Sequence, residues 1–119
     1  KILGEERSVA VSDSMCASGL GDGEYELGGT TVYVKDGKAL LADGTIAAST
    51  TNIFAEFRNI ISFGVPVRQA VKSCTINPAR AIGVDDVTGS IAVGKRADFT
   101  VLSSDLKELE CVYIKGKRI

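Results

Sequence analysis

The chain has 119 residues, of which 45% are hydrophobic and 24% are charged, and its formal net charge is −1. This composition is typical of one globular domain and argues against wholesale disorder. The near-neutral charge and the lack of an apolar run of about 20 residues argue against a nucleic-acid surface and a membrane span.

A short strand is predicted for residues 8–13, where small and β-branched apolar residues lead into Ser12 and Asp13. A strand without polar alternation is usually covered on both faces, as in a parallel sheet or a barrel. The glycine-rich residues 14–23 then predict a loop. Asp13 is therefore expected where a buried strand meets a loop.

A β-hairpin is predicted within residues 24–42. Asp36 and Gly37 separate two β-rich runs, and this pair suits a tight hairpin because both turn positions need a positive φ. Asp43 and Gly44 predict a second turn of similar chemistry.

Helical periodicity replaces the β pattern after residue 52. Residues 49–52 offer several N-caps for a first helix, and Gly64 suits its end. Pro66 can open a second helix. The apolar face predicted for that helix consists of Val67, Ala70, Val71 and Cys74.

A third, short helix is predicted to start with Asn77 as its cap and Pro78 in its first turn, and to end at Gly83. The tail returns to β structure, with strands predicted at residues 98–102 and 111–115. This order of strands, hairpin, helices and strands indicates a mixed α and β fold.

The titratable side chains carry a weak functional signal on their own. The chain contains no histidine, which most catalytic zinc sites, triads and proton shuttles use. Cys16, Cys74 and Cys111 are too widely spaced for a metal-binding pair. Without an export signal, we expect a cytoplasmic location and reduced, partly buried thiols. Either the chain is not an enzyme or essential residues lie elsewhere.

Four sequence elements carry a resemblance to a known family: VSDSMCASGLGDGEYELGG, VKDGKALLADGTIAAST, TINPARAIG and TGSIAVGKRADFTVL. NPAR and the GxIAxGKxAD pattern occur in many amidohydrolases, whereas DGEYELGG and LADGTIAAST are specific to one group. From about residue 8 to residue 118, the chain resembles the C-terminal third of the N-acetylglucosamine-6-phosphate deacetylases, which are members of the amidohydrolase superfamily.

The resemblance implies an α/β fold with two parts. Residues 1–83 would form the end of a (β/α)8 metal-dependent hydrolase barrel, with its last strand, a hairpin and helices. Residues 84–119 would be the C-terminal strands of a small β-sandwich domain. The resemblance also implies that this chain is a C-terminal piece of a longer enzyme, with its strands rearranged or swapped.

The family hydrolyses N-acetylglucosamine-6-phosphate to glucosamine-6-phosphate and acetate, using water activated by a divalent metal, for which zinc is expected here. The family's metal ligands are a glutamate and histidines on earlier barrel strands, and those positions have no counterpart in this sequence. The resemblance therefore implies no metal bound to this chain alone, and no activity of the chain alone.

Asp13 matches the family's catalytic aspartate at the end of the last barrel strand. This role implies that its carboxylate takes a proton from water and passes it to the leaving amine nitrogen. The family usually has Thr before this residue, and Ser12 keeps the hydroxyl. From the spacing alone, a carboxylate that caps the following loop is the simpler interpretation.

Ile46, Ala47, Ala48 and Ser49 match the segment that lines the sugar pocket in the family, partly through backbone groups. The alternative is a plain loop that enters a helix with Ser49 as its cap. Residues 77–80 could clamp a phosphate, but a helix start with an ion-paired arginine is the simpler interpretation.

The partner expected in the full-length enzyme is a small amino-sugar phosphate, with neither nucleic acid nor membrane. A strand at residues 8–13 without neighbours would leave an apolar edge, so a homo-oligomer is expected. Two alternatives stay open: a stand-alone sugar-phosphate-binding or regulatory module without catalysis, and a piece of another amidohydrolase. DGEYELGG argues against the second.

Overall fold

The computed structural model describes residues 4–119, so the first three residues of the expected segment 1–83 lie outside it. The described residues form a mixed α and β structure, as the order of patterns predicted. Its elements are β1 Gly23–Leu27, β2 Thr30–Lys35, β3 Lys38–Leu40, β4 Ile46–Ser49, α1 Ile53–Ser62, α2 Val67–Cys74, α3 Ile76–Ala81, β5 Phe99–Leu102, β6 Leu109–Ile114 and β7 Lys117–Arg118.

The chain divides into two compact units. Unit 1 contains the described part of Lys1–Ala10 together with Phe57–Ile119, and unit 2 is Val11–Glu56. The expected assignment of residues 1–83 to a barrel and residues 84–119 to a sandwich stays a prediction. No helix among residues 4–119 is long and apolar enough to cross a membrane.

Unit 2 contains an antiparallel sheet with strand order β1-β2-β3-β4. Asp36 and Gly37 join β2 to β3 with φ values of +50° and +71°, which confirms the predicted hairpin. The second predicted turn is confirmed as well: Gly44 has a φ of +84°, and the Thr45 N–H donates to Asp43 Oδ1 over 2.9 Å.

A small apolar core lies on one face of this sheet. The alternation in β2 places Val32 and Val34 inside, because successive side chains of a strand point to opposite faces. The buried members of the core are Met15, Ala17, Val32, Val34 and Ala39, and the half-buried side chains packed against them are Tyr25, Leu41, Ala47 and Ala48.

Two segments differ from their predicted structure. Ile46–Ser49 is strand β4, not a plain loop, because the turn at Gly44 returns the chain along β3. Residues 8–13 do not form a strand, because a strand needs a continuous ladder of partners. The only pairing described near them is a single parallel bridge between Ser14 and Ser49.

In unit 1, the helix ends agree with the prediction better than the buried faces do. Gly64 ends α1 with a φ of +81°. In α2, however, Ala70 and Ser73 are buried, whereas Val67 and Val71 are each 43% exposed. Ser73 tolerates burial because its hydroxyl donates to the Ala70 carbonyl over 2.8 Å.

Asn77 is not the helix cap that its position before proline predicted. Helix α3 begins one residue earlier, and the Asn77 side chain is only 3% exposed. Its Nδ2 donates to the carbonyls of Glu5 and Ser8, each over 2.8 Å. A cap would accept a backbone N–H through Oδ1, but that buried oxygen has no hydrogen-bond partner in the described part of the chain. The predicted ion-pair role of Arg80 is confirmed by a 2.8 Å contact from Nη1 to Glu6 Oε2.

The tail forms an antiparallel sheet with strand order β5-β6-β7. The two predicted strands are confirmed, with ends shifted by one or two residues. Phe99 pairs with Tyr113 in the register, and their rings stack with centroids 4.6 Å apart. This pair ties β5 to β6.

Candidate functional site

Asp13 is held in an unusual backbone conformation in unit 2. Its φ is +51°, in the left-handed region that residues other than glycine seldom adopt, although Asp does so more often than most. The residue is exposed, so its carboxylate faces solvent. An exposed carboxylate in an uncommon backbone conformation is a candidate for chemistry.

Ser49, at the end of β4, anchors the chain on both sides of Asp13. Its N–H donates to the Asp13 carbonyl over 2.9 Å, and its own carbonyl accepts the Met15 N–H over 3.0 Å. Its hydroxyl donates to the Ser12 carbonyl over 2.6 Å. One residue therefore makes three hydrogen bonds to the four residues 12–15.

Two further hydroxyls tie the loop after Asp13 to the residues after β4. The Ser14 hydroxyl donates to the Thr51 carbonyl, and the Ser18 hydroxyl lies 3.1 Å from the carbonyls of both Thr50 and Thr51. The Thr51 N–H donates in turn to Ser49 Oγ over 3.1 Å. The segments 12–18 and 49–51 are thus joined by side-chain as well as backbone hydrogen bonds.

The apolar core also holds the loop after Asp13, because two residues of that loop are buried in it. Met15 is 6% exposed and Ala17 is fully buried, so the chain returns into the core two residues after Asp13. Ala47 and Ala48 of β4 pack against this core. The buried residues and the hydrogen bonds together hold Asp13 in its left-handed conformation.

The structure places all five predicted site residues in unit 2. Asp13 and Ser49 are in direct backbone contact, and Ala47 and Ala48 are half-buried beside them on β4. Ile46, at the start of the strand, is 75% exposed. The predicted roles of these residues in catalysis and substrate binding stay predictions.

The sequence did not lead us to expect the hydroxyls of Ser14 and Ser18 in this site. The available signal was the pairing of two hydroxyl-rich segments, SDSMCAS and STT, because Ser and Thr side chains commonly bond nearby carbonyls. The predicted capping role of Ser49 belongs to Asn52, whose Oδ1 accepts the Ala55 N–H over 3.0 Å at the start of α1.

Metal-ligating side chains do not gather in the described part of the chain. Within residues 4–119, no group of three or more His, Cys, Asp or Glu side chains could hold a metal ion. Cys74 and Cys111 are half-buried, as predicted, whereas Cys16 is exposed. Cys16 Sγ donates to the Glu26 carbonyl over 3.3 Å.

This chain is similar to known proteins in its family pattern, in its sequence and in its fold. Residues 31–119 match the amidohydrolase family. The N-acetylgalactosamine-6-phosphate deacetylase of Escherichia coli O157:H7 is 38% identical over 95% of this chain. The N-acetylglucosamine-6-phosphate deacetylase of Bacillus subtilis strain 168 is 39% identical over 86% of it. The chain spans 30% and 26% of the lengths of these two proteins.

A solved structure of a related enzyme has the same fold over nearly the whole chain. It is an aspartate-to-alanine mutant of the Mycobacterium smegmatis N-acetyl-D-glucosamine-6-phosphate deacetylase, in complex with N-acetyl-D-glucosamine-6-phosphate. The TM-score is 0.88 at 36% identity, and the match covers 97% of this chain and 31% of that one.

Proposed function

This chain belongs to the amidohydrolase family, and on that premise we propose that it supplies the C-terminal part of an N-acetylglucosamine-6-phosphate deacetylase. The reaction gives glucosamine-6-phosphate and acetate. The observation that carries the proposal is the anchored, left-handed Asp13 with its exposed carboxylate. The likeness to a substrate-bound deacetylase at a TM-score of 0.88 supports the substrate class.

Asp13 is the proposed general base and acid. Amide hydrolysis requires a group that takes a proton from the attacking water and a group that gives one to the departing nitrogen. The Asp13 carboxylate takes the proton as the new C–O bond forms, and it returns the proton to the nitrogen as the C–N bond breaks. One carboxylate serves both steps, so it ends the cycle ionised.

A divalent metal is the expected cofactor of the full-length enzyme. Amidohydrolases of this family generally use one, which would activate the attacking water when bound, and we propose zinc. The side chains of residues 4–119 do not fit such an ion, because they do not form a ligand cluster. No step of the reaction is therefore assigned to metal binding by this chain, and we propose that the chain alone is inactive.

The sugar is proposed to lie against Ile46–Ser49. The small side chains of Ala47 and Ala48 support this placement, because they let a ligand approach the strand backbone closely. The strand also leads directly to Ser49 and hence to Asp13. On the same family premise, residues 1–83 complete a (β/α)8 barrel, residues 84–119 belong to a β-sandwich, and the enzyme is a homo-oligomer.

A second candidate substrate is the C4 epimer, N-acetylgalactosamine-6-phosphate. The identity of 38% over 95% of the chain to a deacetylase with that name favours it. Both epimers carry the same N-acetyl group, so the proposed chemistry of Asp13 is unchanged. The ratio of kcat/KM for the two sugars, measured on the full-length protein, decides between them.

The test of the proposal is Asp13→Asn in the full-length protein, assayed by acetate release from N-acetylglucosamine-6-phosphate. General acid and base catalysis contributes about 10²–10⁴-fold, so we expect kcat to fall at least about a hundredfold. Near-normal turnover by this variant would defeat the assignment.

Asp36→Asn is the matched control. Asp36 is also an exposed aspartate of unit 2 with a left-handed φ, +50°, and Asn before Gly suits the same turn. This variant should keep full activity. If the protein binds the phosphosugar by calorimetric titration and releases no acetate, it is a binding module and the deacetylase proposal is wrong.

A further inference from the structure

The hydroxyl of Ser49 has no proton left to donate to a ligand. A serine hydroxyl carries one donor proton, and here that proton goes to the Ser12 carbonyl over 2.6 Å. One of its two lone pairs accepts the Thr51 N–H over 3.1 Å. A bond donated to a sugar oxygen would require breaking the bond to Ser12.

The two peptide groups that flank the Asp13 Cα are both attached to Ser49. The first contains the Ser12 carbonyl, which accepts the Ser49 hydroxyl, and the second contains the Asp13 carbonyl, which accepts the Ser49 N–H. The relative orientation of these two planes is what φ and ψ of Asp13 describe. Ser49 therefore sets the backbone conformation of Asp13 directly.

Only one of these two attachments uses a side chain. The bonds between the Ser49 N–H and the Asp13 carbonyl, and between the Met15 N–H and the Ser49 carbonyl, would survive any substitution that keeps the backbone. The attachment of the first plane depends on Oγ alone. Its loss would free the Ser12 carbonyl and let Asp13 leave its φ of +51°, which L-residues disfavour.

We infer that the Ser49 side chain is a positioning residue, which fixes the direction of the Asp13 carboxylate through the Ser12 carbonyl and makes no hydrogen bond to the substrate. The inference rests on the proposed role of Asp13. It changes the role that the family resemblance implies for Ser49, and it leaves Ile46, Ala47 and Ala48 as the residues of β4 whose backbone is proposed to lie against the sugar. Misplacement of a catalytic group by about 1 Å can cost about a hundredfold in rate.

The test is Ser49→Ala in the full-length enzyme. We expect kcat to fall about tenfold while KM stays within about twofold, because the loss concerns the direction of a catalytic group and not substrate affinity. Ser49→Thr keeps the hydroxyl and should return kcat to within about threefold of the wild type.

Thr50→Val is the matched control. Thr50 is the next residue along the chain, and its hydroxyl also donates to a carbonyl over 2.6 Å. That carbonyl belongs to Gly37, in the hairpin turn, and has no bond to the Asp13 segment in the described part of the chain. Valine preserves the shape of threonine, so this variant should leave kcat and KM within about twofold.

The Asp13→Asn background distinguishes a substrate contact of Ser49 from a positioning role of Ser49. In the Asp13→Asn background, addition of Ser49→Ala should leave the calorimetric Kd for N-acetylglucosamine-6-phosphate unchanged and lower the residual kcat no further. A Kd weakened more than about fivefold, or a raised KM with unchanged kcat, would show a substrate contact and overturn the inference. Unchanged kcat in Ser49→Ala would overturn it as well.

Hydrogen exchange separates failure of this inference from failure of the proposed function. In Ser49→Ala, peptides that cover residues 11–18 should exchange faster by mass spectrometry, whereas Thr50→Val should leave them unchanged. If Asp13→Asn is active, the proposed function is wrong. The exchange measurement still shows whether the Ser49 hydroxyl holds the backbone around Asp13. Identical exchange in wild type and Ser49→Ala would refute it.

Discussion

Different kinds of polar interaction stabilise each of the two units internally. All six ion pairs found among residues 4–119 lie in unit 1, where Glu5 and Glu6 contact Arg68, Lys72 and Arg80. Around Asp13 in unit 2, hydroxyl and backbone groups bond to carbonyls over an apolar core. The bonds that hold Asp13 therefore contain no titratable group.

This difference suits the proposed chemistry. A carboxylate that must gain and lose a proton in each cycle benefits from a support that does not change with its charge. In unit 1, by contrast, the Lys72 and Arg80 side chains bond to Glu6 and hold the pKa of its carboxyl below the usual value. The bond to Glu6 raises the pKa of Lys72 in turn. Acid should thus weaken these ion pairs of unit 1 and leave the hydrogen bonds that hold Asp13 unchanged.

The largest effect of a substitution is expected from Gly89→Ala in unit 1. A Cβ at Gly89 would lie 2.7 Å from Ala79 Cβ and 3.1 Å from Ile76 Cα, so helix α3 or the loop has to move. The φ of +86° adds the strain of an L-residue in a left-handed conformation. Together, overpacking and strain should cost about 3–4 kcal/mol, measured by urea unfolding.

Gly94→Ala separates the two contributions. Gly94 has a φ of +89°, and a Cβ there would meet nothing within 4 Å. Only the backbone strain remains, so this variant should lose about 1–2 kcal/mol. Equal losses in the two variants would show that close packing of Gly89 on α3 does not stabilise unit 1.

The next largest effect is expected from Val32→Ala in unit 2. Val32 is fully buried in the core beneath the Asp13 loop, so its truncation leaves a cavity and should cost about 2 kcal/mol in urea unfolding. Val93→Ala, at a fully exposed valine, should change stability by less than about 0.5 kcal/mol. If Val32→Ala lost as little unfolding free energy as Val93→Ala, the apolar core would not contribute to the stability of unit 2.

The parts of the fold that could be predicted from sequence depend on local chemistry. The turn at Asp36 and Gly37 and the end of α1 at Gly64 follow from φ preferences of single residues, and the structure confirms them. The family and its site segment followed from sequence resemblance, and the family membership is confirmed. The roles of the site residues are still predictions.

The parts that could not be predicted depend on partners far away in the chain. Asn77 bonds carbonyls 72 and 69 residues away, and the Ser49 hydroxyl bonds one 37 residues away. A capping preference depends on the local sequence only, and it does not reveal that distant carbonyls accept hydrogen bonds from the same side chain. The predicted strand at residues 8–13 fails for a related reason, since an apolar run does not say whether a neighbouring strand is present.

The smallest effect, and the one that most directly tests the comparison of the units, concerns the pH dependence of Glu6→Gln. Because the folded pKa of Glu6 is lowered below 4.5, the unfolded chain protonates this residue more readily than the folded chain does. The stabilisation from its bonds to Lys72 and Arg80 is therefore complete above about pH 4.5 and is lost as pH falls through the folded pKa. Glu6→Gln should be less stable than wild type at pH 7, and the difference should vanish in acid.

Glu110→Gln controls for the loss of a negative charge. Glu110 is an exposed residue of β6 without an ion pair among residues 4–119, so this variant should differ little from wild type across the acid range. Thermal unfolding at pH values from 7 to about 3 provides the measurement. A Glu6→Gln difference that stays constant through that range would mean that the ion pairs do not stabilise unit 1. The difference between the ion pairs of unit 1 and the uncharged hydrogen bonds around Asp13 would then have no consequence for stability.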